Sequence, residues 1–453
     1  MKTIAEQLAE ASQLRKGKKI DEALTLYESL WQQNSAAFSE WDGWSYGYCL
    51  QKKQKYTEEL DLCRFLFQRY QQFEMIQQLY AWSVYYTQLA GENQPTNKDL
   101  FIKAVNAIVK LSPPGNAYSP AVKSIFKLVK FLSTGNPNNW DEIATYLGKL
   151  DKNKLSKETY FMDAPGRKGK ELGSELEEWY SWQSKLLLQT KQWQKGLDLC
   201  NEALEKLDKW HYSNEIWFAR RKAACLAELG QKSQAREIVN QLIKRKRDWF
   251  ILADLAQLTE NSDESIKLYA EAALAYGDLP LKIRLFYKMA ELLAAGGDKK
   301  MAHTHALLVV ALRVENKWAI PSELQQMLSD YGEVLVKIPS SILVATGLKP
   351  YWQTLAAKDE NKTDGMPIER CIGKIYNLIN DGMAGFIKPE IGINNIYFTF
   401  RNFEGNKEEL VPGFSVSYEV NKSFDTKKNR DSNVAMRIRK NYKRDEVLEK
   451  LKV

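Results

Sequence analysis

Paired helices recur along most of this chain. From residue 1 to about residue 335, segments with the ~3.6-residue period of an amphipathic helix alternate with short polar or Gly/Pro breaks. A small or apolar residue opens the second helix of successive pairs, at intervals of 39, 31 and 36 residues: Gly196, Ala235, Ile266 and Ala302. One pair cannot bury its apolar face alone, so pairs of this kind stack on their neighbours. The pattern therefore predicts an all-helical superhelical solenoid.

Aromatic residues follow the same layout in distant repeats. The segments Trp44–Cys63 and Trp179–Cys200 both place aromatics on a first helix and at the turn, and both end in Leu-Asp-Leu-Cys. This layout resembles tetratricopeptide (TPR) repeats, whose period is about 34 residues. The resemblance covers about two thirds of the chain. It implies a protein-interaction scaffold with a groove lined by the first helices.

Two basic residues mark a candidate partner site in this groove. Arg220 and Lys222 lie on a predicted first helix, where they would favour an acidic peptide. The competing interpretation is a solvated helix surface without a ligand, because helix surfaces are often basic.

Breaks in composition and period divide the chain into segments. We predict TPR-like repeats over 1–74, divergent helical repeats over 75–175, TPR-like repeats over 176–356, a linker over 357–368, a small barrel over 369–440 and a basic tail over 441–453. In the divergent segment we expect helices throughout, and we interpret Gly166–Lys170 as a loop.

After the linker the sequence period changes from helical to two. Five short alternating segments separated by turns follow within about 70 residues. Such a series predicts a small five-stranded β-barrel. The fold class is therefore multidomain α plus β, with an all-α solenoid followed by a small five-stranded β-barrel.

Three short motifs stand out in the barrel segment: Gly373-Lys374-Ile375, Gly385-Phe386-Ile387 and Ile396–Phe400. They resemble the cold-shock domain, a variant of the OB-type barrel: the first opens its first strand, the second matches the end of its first RNA-binding motif, and the third matches its second motif. The resemblance implies stacking of bases on Phe386 and Tyr397, with Thr399 in place of the usual His. Other positions of the family's platform are lost, at Asn377, Leu378, Gly382 and Ala384.

Positive charge is concentrated beside this motif. The whole chain carries a net charge of +8, and nine basic residues face only Asp425 and Asp431 between Lys422 and Arg444. Cations of this kind can follow a phosphate backbone while aromatic rings stack the bases. The predicted nucleic-acid-binding residues are Lys374, Phe386, Lys388, Tyr397, Thr399, Phe400, Lys427, Lys428, Arg430, Arg437 and Arg439.

The sequence leaves two functions open. In the favoured one, the protein is a non-catalytic adaptor that binds single-stranded nucleic acid, RNA rather than DNA, through the barrel and a protein through the groove. In the other, it is a protein-binding scaffold with a degenerate barrel, whose aromatics are core residues and whose basic segment is a solvated tail. The layout also resembles helical-repeat proteins with a terminal S1/cold-shock-like domain in prokaryotic conflict (defence) systems.

Catalytic, metal and cofactor sites are not expected. The chain has 3 histidines, and His303 and His305 do not share a helix face because they are two residues apart. Gly169-Lys170 is followed by Glu171, so the Ser or Thr of a phosphate-binding loop is missing. Five scattered cysteines and the lack of a signal peptide or long apolar run predict a cytoplasmic protein without a membrane partner.

Overall fold

The structure, a computed structural model, describes most of the chain. The described residues are 2–91, 94–115, 119–134, 139–164, 167–331, 338–357, 370–379, 383–390, 394–403, 410–425 and 430–440. The chain forms two compact units, Met1–Ile238 and Val239–Val453, which are described separately.

The first unit is built from helices arranged in successive pairs. They are α1 (Ile4–Lys16), α2 (Ile20–Asn34), α3 (Glu40–Lys52), α4 (Tyr56–Arg69), α5 (Glu74–Gln88), α6 (Lys98–Leu111), α7 (Pro120–Thr134), α8 (Trp140–Leu147), α9 (Glu175–Gln189), α10 (Trp193–Lys206), α11 (Asn214–Glu228) and α12 (Lys232–Arg245), whose last residues belong to the second unit.

The helical part of the second unit continues this arrangement. Its helices are α13 (Trp249–Gln257), α14 (Ser262–Leu274), α15 (Ile283–Ala295), α16 (Lys299–Glu315), α17 (Ser322–Tyr331) and α18 (Ser341–Ala357). No described helix of the protein combines the length and the apolar character that crossing a bilayer requires.

One turn conformation joins the two helices of several pairs. Three residues separate the helices, and the middle one has a left-handed backbone with φ of 62°, 57°, 55°, 82° and 85°: Lys18, Gln54, Lys191, Gly230 and Gly297. The next amide donates a hydrogen bond of 2.8 to 3.0 Å to a leucine carbonyl five residues earlier: Leu14, Leu50, Leu187, Leu226 and Leu293. This is how a helix ends when its last carbonyls need donors. Each pair therefore turns back with the same geometry.

The residues that set the repeat spacing lie where the sequence places them. Gly196, Ala235, Ile266 and Ala302 fall in the first turns of α10, α12, α14 and α16, and all are buried. A Cβ atom at Gly196 would lie 2.9 Å from Cys225 Sγ, so α10 and α11 approach closely there. The predicted helical solenoid is confirmed.

A β-hairpin interrupts the helices of the first unit. Its strands are β1 (Tyr160–Ala164) and β2 (Arg167–Leu172), which pair antiparallel with Tyr160 opposite Leu172. The expectation of helices throughout 75–175, with a loop over 166–170, is therefore wrong. Strands of only five and six residues, the second of them rich in charge, are too short to show a clear alternation.

The C-terminal part of the second unit is a closed β-barrel. Its strands are β3 (Cys371–Ile379), β4 (Ala384–Pro389), β5 (Ile396–Thr399), β6 (Ser415–Asp425) and β7 (Arg430–Lys440). They follow the order β3-β4-β5-β7-β6, and β6 pairs again with β3. Only β5 and β7 run parallel; the other neighbours are antiparallel. The predicted five-stranded, OB-like barrel is confirmed.

Inward-facing apolar residues fill this barrel. Its core consists of Ile375, Ile387, Phe398, Phe403, Leu410, Val416, Tyr418, Ala435 and Ile438. Strands β3 and β4 approach closely at two glycines, Gly373 and Gly385, where a Cβ atom would meet backbone atoms. A Cβ atom at Gly385 would lie 2.4 Å from the Asn377 carbonyl oxygen. Of the predicted linker, 357–368, Ala357 is the last residue of α18; residues 358–368 and the predicted tail, 441–453, lie outside the described residues.

Glycine replacement should separate barrel packing from helix propensity. We expect Gly385→Ala to destabilise the barrel by roughly 1–3 kcal/mol, because the new Cβ overlaps the Asn377 carbonyl oxygen. Gly347→Ala is the matched control, since its Cβ meets nothing within 4 Å in α18, and it should stabilise that helix by roughly 0.5–1 kcal/mol. Hydrogen exchange of barrel and helix peptides measures both effects, and unchanged barrel exchange in Gly385→Ala would contradict the packing argument.

Candidate nucleic-acid interface

A row of outward-facing residues crosses four strands of the barrel. Asn377 of β3 lies opposite Phe386 of β4, Phe386 opposite Tyr397 of β5, and Tyr397 beside Val434 of β7. Gly385 and Ile387 beside Phe386, and Phe398 beside Tyr397, are buried, because side chains alternate between the two faces of a strand. The row therefore presents two aromatic rings on the outer surface.

Phe386 and Tyr397 pack against each other and stay partly accessible. Their ring centroids lie 5.7 Å apart with an interplanar angle of 65°, an edge-to-face arrangement. Both rings are half-buried, and the barrel core is formed without them. The interpretation of these two aromatics as core residues is thus not what the structure shows.

Two lysines lie beside the aromatic pair. Lys374 of β3 and Lys388 of β4 are direct cross-strand partners, both exposed, and Lys388 is two residues from Phe386 on the same face. Neither has an ion-pair partner within the part of the chain that the structure describes. Like charges directly opposite each other destabilise a sheet. A bound anion would remove that repulsion.

Thr399 and Phe400 occupy different surroundings. Thr399 lies on the outer face, two residues from Tyr397 and opposite Ala384. Phe400 begins the 3₁₀ turn Phe400–Asn402, packs against the edge of the barrel core and meets Tyr276 edge-on at 5.8 Å. Because the strand ends at Thr399, its alternation no longer predicts the direction of Phe400, and this ring does not belong to the row.

The predicted phosphate-binding cations in and just before β7 divide into three groups. Arg437 has a left-handed backbone with φ of 46°, and its Nη1 lies 3.5 Å from Glu419 Oε1, which also binds Arg370 at 3.2 Å. Arg437 therefore contributes to closing the barrel at a bulge. Arg439 is exposed opposite Ser417. The side chain of Arg430 and both Lys427 and Lys428 lie outside the described residues.

One exposed aromatic escaped the sequence analysis. The pairing of β3 with β4 shifts between Ile375 and Asn377, so Tyr376 sits at a bulge next to the row. Its side chain is 59% exposed. Alternation along β3 places Tyr376 on the exposed face of Ile372 and Lys374, and the bulge then adds Asn377 to that face.

The predicted partner residues of α11 are also placed. Arg220 lies with its guanidinium carbon 4.8 Å from the Trp217 ring centroid, and both Arg220 and Lys222 are half-buried. The residue between them, Arg221, donates to Ser184 Oγ on α9 at 3.1 Å. The sequence analysis missed Arg221.

Two of the histidines are held in internal hydrogen bonds. His305 is buried, its Nδ1 lies 2.7 Å from the Met301 carbonyl oxygen, and Trp352 Nε1 donates to its Nε2 at 2.9 Å. Burial lowers the pKa of His305 to about 4. His211 Nδ1 lies 2.7 Å from the buried Glu177 carboxylate. Among the described residues, no group of three or more His, Cys, Asp or Glu has the geometry of a metal site.

Alanine replacement should show that the aromatic row is dispensable for folding. Because Phe386 and Tyr397 lie outside the core, their joint replacement by alanine should cost about 1 kcal/mol or less of barrel stability. Phe398→Ala, the matched core control, should cost roughly 3–5 kcal/mol. Urea titration followed by hydrogen exchange of β4 and β5 distinguishes them. Equal losses in both variants would mean that the row is part of the core.

Part of the helical region matches a known family model. A family model described as "Domain of unknown function (DUF7017)" matches residues 216–331, from within α11 to the end of α17. The comparison with curated proteins found no match.

Solved structures similar to this chain include three helical proteins. A tetratricopeptide repeat protein from Parabacteroides merdae is 8% identical over 72% of this chain and 97% of its own, with a TM-score of 0.30. The human IFIT1 dimer with PPP-AAAA is 14% identical over 77% of this chain and 81% of its own, with a TM-score of 0.34. Naa15/Naa10 bound to HypK-THB is 14% identical over 78% and 60%, with a TM-score of 0.27. The fold assignment rests on the helices and strands themselves.

Proposed function

We propose that this protein is a non-catalytic adaptor whose barrel binds single-stranded nucleic acid, RNA rather than DNA, and whose helical repeats bind a protein partner. The observation that carries the proposal is the outer row of the barrel. The rings of Phe386 and Tyr397 are accessible there, and Lys374 and Lys388 beside them have no ion-pair partner among the described residues.

Single-stranded nucleic acid offers the two kinds of group that this row would recognise. Unpaired bases stack on aromatic rings, and phosphates bind the neighbouring ammonium groups. Phe386 and Tyr397 lie on adjacent strands, so bases that follow one another along a strand of RNA would meet them in turn. Tyr376, exposed at the bulge of β3, adds an aromatic ring near positions that a cold-shock domain fills with Trp and Phe.

The bulge at Tyr376 lies next to two positions, Asn377 and Leu378, at which this chain lacks the aromatic residues of a cold-shock domain. Asn377 takes the place of the aromatic on β3 and faces Phe386 across the strands, while Leu378 packs at the edge of the core. A cold-shock type of binding in this barrel thus depends on fewer rings than that family uses. The paired lysines would supply the compensating phosphate contacts.

The helical repeats supply the scaffold part of the proposal. First helices of stacked pairs line one surface, and such surfaces bind peptides or partner helices. Arg220 and Lys222 on α11 would favour an acidic partner there.

Two features support the cellular setting that we propose for this adaptor. All five cysteines are free thiols, as expected in a reducing compartment such as the cytoplasm. Helical repeats followed by this barrel also form the layout that resembles proteins of prokaryotic conflict systems, so we place the adaptor's activity in such a system.

Oligonucleotide binding tests the barrel. Replacing Phe386 and Tyr397 by alanine should weaken binding of a single-stranded RNA by roughly 2–6 kcal/mol, since each stacked base contributes roughly 1–3 kcal/mol. Lys374→Gln with Lys388→Gln should instead flatten the slope of log affinity against log salt by about 0.7 per lost phosphate contact. Fluorescence anisotropy at several salt concentrations measures both effects.

A charge-matched control and a localised readout complete this experiment. Lys103→Gln with Lys110→Gln removes two exposed lysines from α6 and should leave the slope unchanged. Bound RNA should also protect β4 and β5 from hydrogen exchange. If the folded aromatic variant binds RNA as the wild type does and the strands gain no protection, the barrel does not bind nucleic acid in this way.

Charge reversal tests the partner site on α11. Arg220→Glu with Lys222→Glu should lower capture of an acidic protein partner at least about tenfold, because the two introduced carboxylates repel an acidic partner. Co-precipitation from the native host, quantified by mass spectrometry, measures the loss. Recovery of the same partners in the same amounts would show that they bind elsewhere.

A further inference from the structure

Three successive first helices of the first unit present the same positions on one surface. The fourth, eighth and eleventh residues of α7, α9 and α11 lie one helical turn apart along each helix. They are Lys123, Lys127 and Lys130 on α7, Glu178, Trp182 and Lys185 on α9, and Trp217, Arg221 and Ala224 on α11. Only Glu178 and Ala224 among them are neither cationic nor aromatic. We call Lys123, Lys127, Lys130, Lys185 and Arg221 the cationic surface.

Aromatic rings hold several of these cations in place. The Lys185 ammonium lies 4.2 Å from the Trp182 ring centroid, and the Lys123 ammonium lies 5.3 Å from Trp82 and 5.9 Å from Tyr160 of the hairpin. Lys127 lies 5.7 Å from Tyr85 and donates to the Leu89 carbonyl oxygen. Ring faces attract cations, so the ammonium groups are fixed at the surface.

Carboxylates offset only part of this charge. Glu178 attracts Lys130 and Lys185, and Glu175 attracts Lys123. Lys123 and Lys185 nevertheless take part in no ion pair within the described residues. Lys185 is also close enough to Arg221 for repulsion. Burial, together with Arg221, lowers the pKa of Lys185 to about 8, and burial lowers the pKa of Lys123 and of Lys127. The surface thus holds positive charge where the surrounding protein disfavours it.

This charge is a cost to folding. When the pKa of a lysine is lowered in the folded state, protonation of that lysine destabilises the folded protein. At pH 7 Lys185 is mostly protonated, because its pKa of about 8 lies above that pH. Cation–π contacts alone would stabilise the charged form and would not lower the pKa. An anion bound between α7, α9 and α11 would repay the cost.

The aromatic residues decide which polyanion fits best. Tyr160, the first residue of β1, is 38% exposed and faces Lys123 at the edge of the cationic surface. Planar rings that alternate with cations match a chain of bases and phosphates. The carboxylates of an acidic peptide would use the cations but would leave these rings without stacked partners.

We propose that the cationic surface of the first unit is a second binding site for single-stranded nucleic acid, in which the five cations contact phosphates and the aromatic rings beside them contact bases. This site goes beyond the proposed barrel function and does not rest on it. The β1–β2 hairpin, which has no counterpart in a simple array of helix pairs, then has a role: it places Tyr160 beside Lys123.

The test uses the full-length protein with the barrel row removed by Phe386→Ala and Tyr397→Ala. Labelled single-stranded RNA is titrated by anisotropy over a series of salt concentrations. In this background, Lys123→Gln with Lys185→Gln should lower affinity roughly 25-fold at 0.1 M salt and reduce the salt slope by about 1.4, for two phosphate contacts. Lys103→Gln with Lys110→Gln on α6 is the charge-matched control and should change neither quantity.

A stability measurement and a conservative variant exclude a folding defect. Since the two lysines are charged at a cost, the glutamine variant should unfold at the same temperature as its parent or a higher one. Lys123→Arg with Lys185→Arg keeps the charge and should retain binding. Loss of binding in the arginine variant, or a lower unfolding temperature in the glutamine variant together with lost binding, would overturn the proposal.

Further outcomes separate this site from the barrel. If the barrel-row variant has no residual RNA affinity, or if that affinity is the same in the glutamine variant and the α6 control, the second site does not exist and the barrel proposal stands. If RNA binding is insensitive to the barrel row but sensitive to Lys123 and Lys185, the barrel proposal fails and this one holds. Binding of a poly-glutamate peptide that is lost in the glutamine variant while RNA binding persists would assign the surface to acidic peptides and overturn the inference.

Discussion

The three-residue turn between paired helices is the local interaction on which the arrangement of the repeats depends. A left-handed residue at its centre, such as Lys191 or Gly230, lets the following amide return to a leucine carbonyl five residues earlier. The end of the first helix is thereby capped, and the start of the second is fixed relative to it. Since the same turn recurs, equivalent positions of different first helices have equivalent environments.

That equivalence explains how residues far apart in sequence form one surface. Lys185 and Arg221 are separated by a full repeat, yet they lie close enough to repel each other. Arg221 reaches Ser184 on the neighbouring first helix, and this contact directs its guanidinium along the surface. A single substitution in one repeat thus changes the electrostatics of the next one.

In the barrel, the corresponding constraint is closure. The parallel pairing of Tyr397 with Val434 joins β5 to β7, and the pairing of β6 with β3 completes the ring. Gly385 permits this because Asn377 and Phe398 approach its Cα where a side chain would not fit. Because residues such as Phe398 fill the interior of the barrel, the rings of Phe386 and Tyr397 lie on its outer face.

The sequence predicts those parts of the molecule that follow a regular period. The repeat spacing and the barrel strands derive from periods of ~3.6 and two residues, whereas the place of Phe386 and Tyr397 on the outer face follows from the resemblance to the cold-shock domain. The hairpin, the bulge at Tyr376 and the turn of Phe400 depart from any period, and tertiary packing decides them. For the same reason Arg437, which looks like a phosphate-binding cation in sequence, is committed to Glu419 at a bulge. Arg221 lies between Arg220 and Lys222, the two residues that the sequence analysis proposed for partner binding. It shows that the direction of a helical side chain decides its role as much as its charge does.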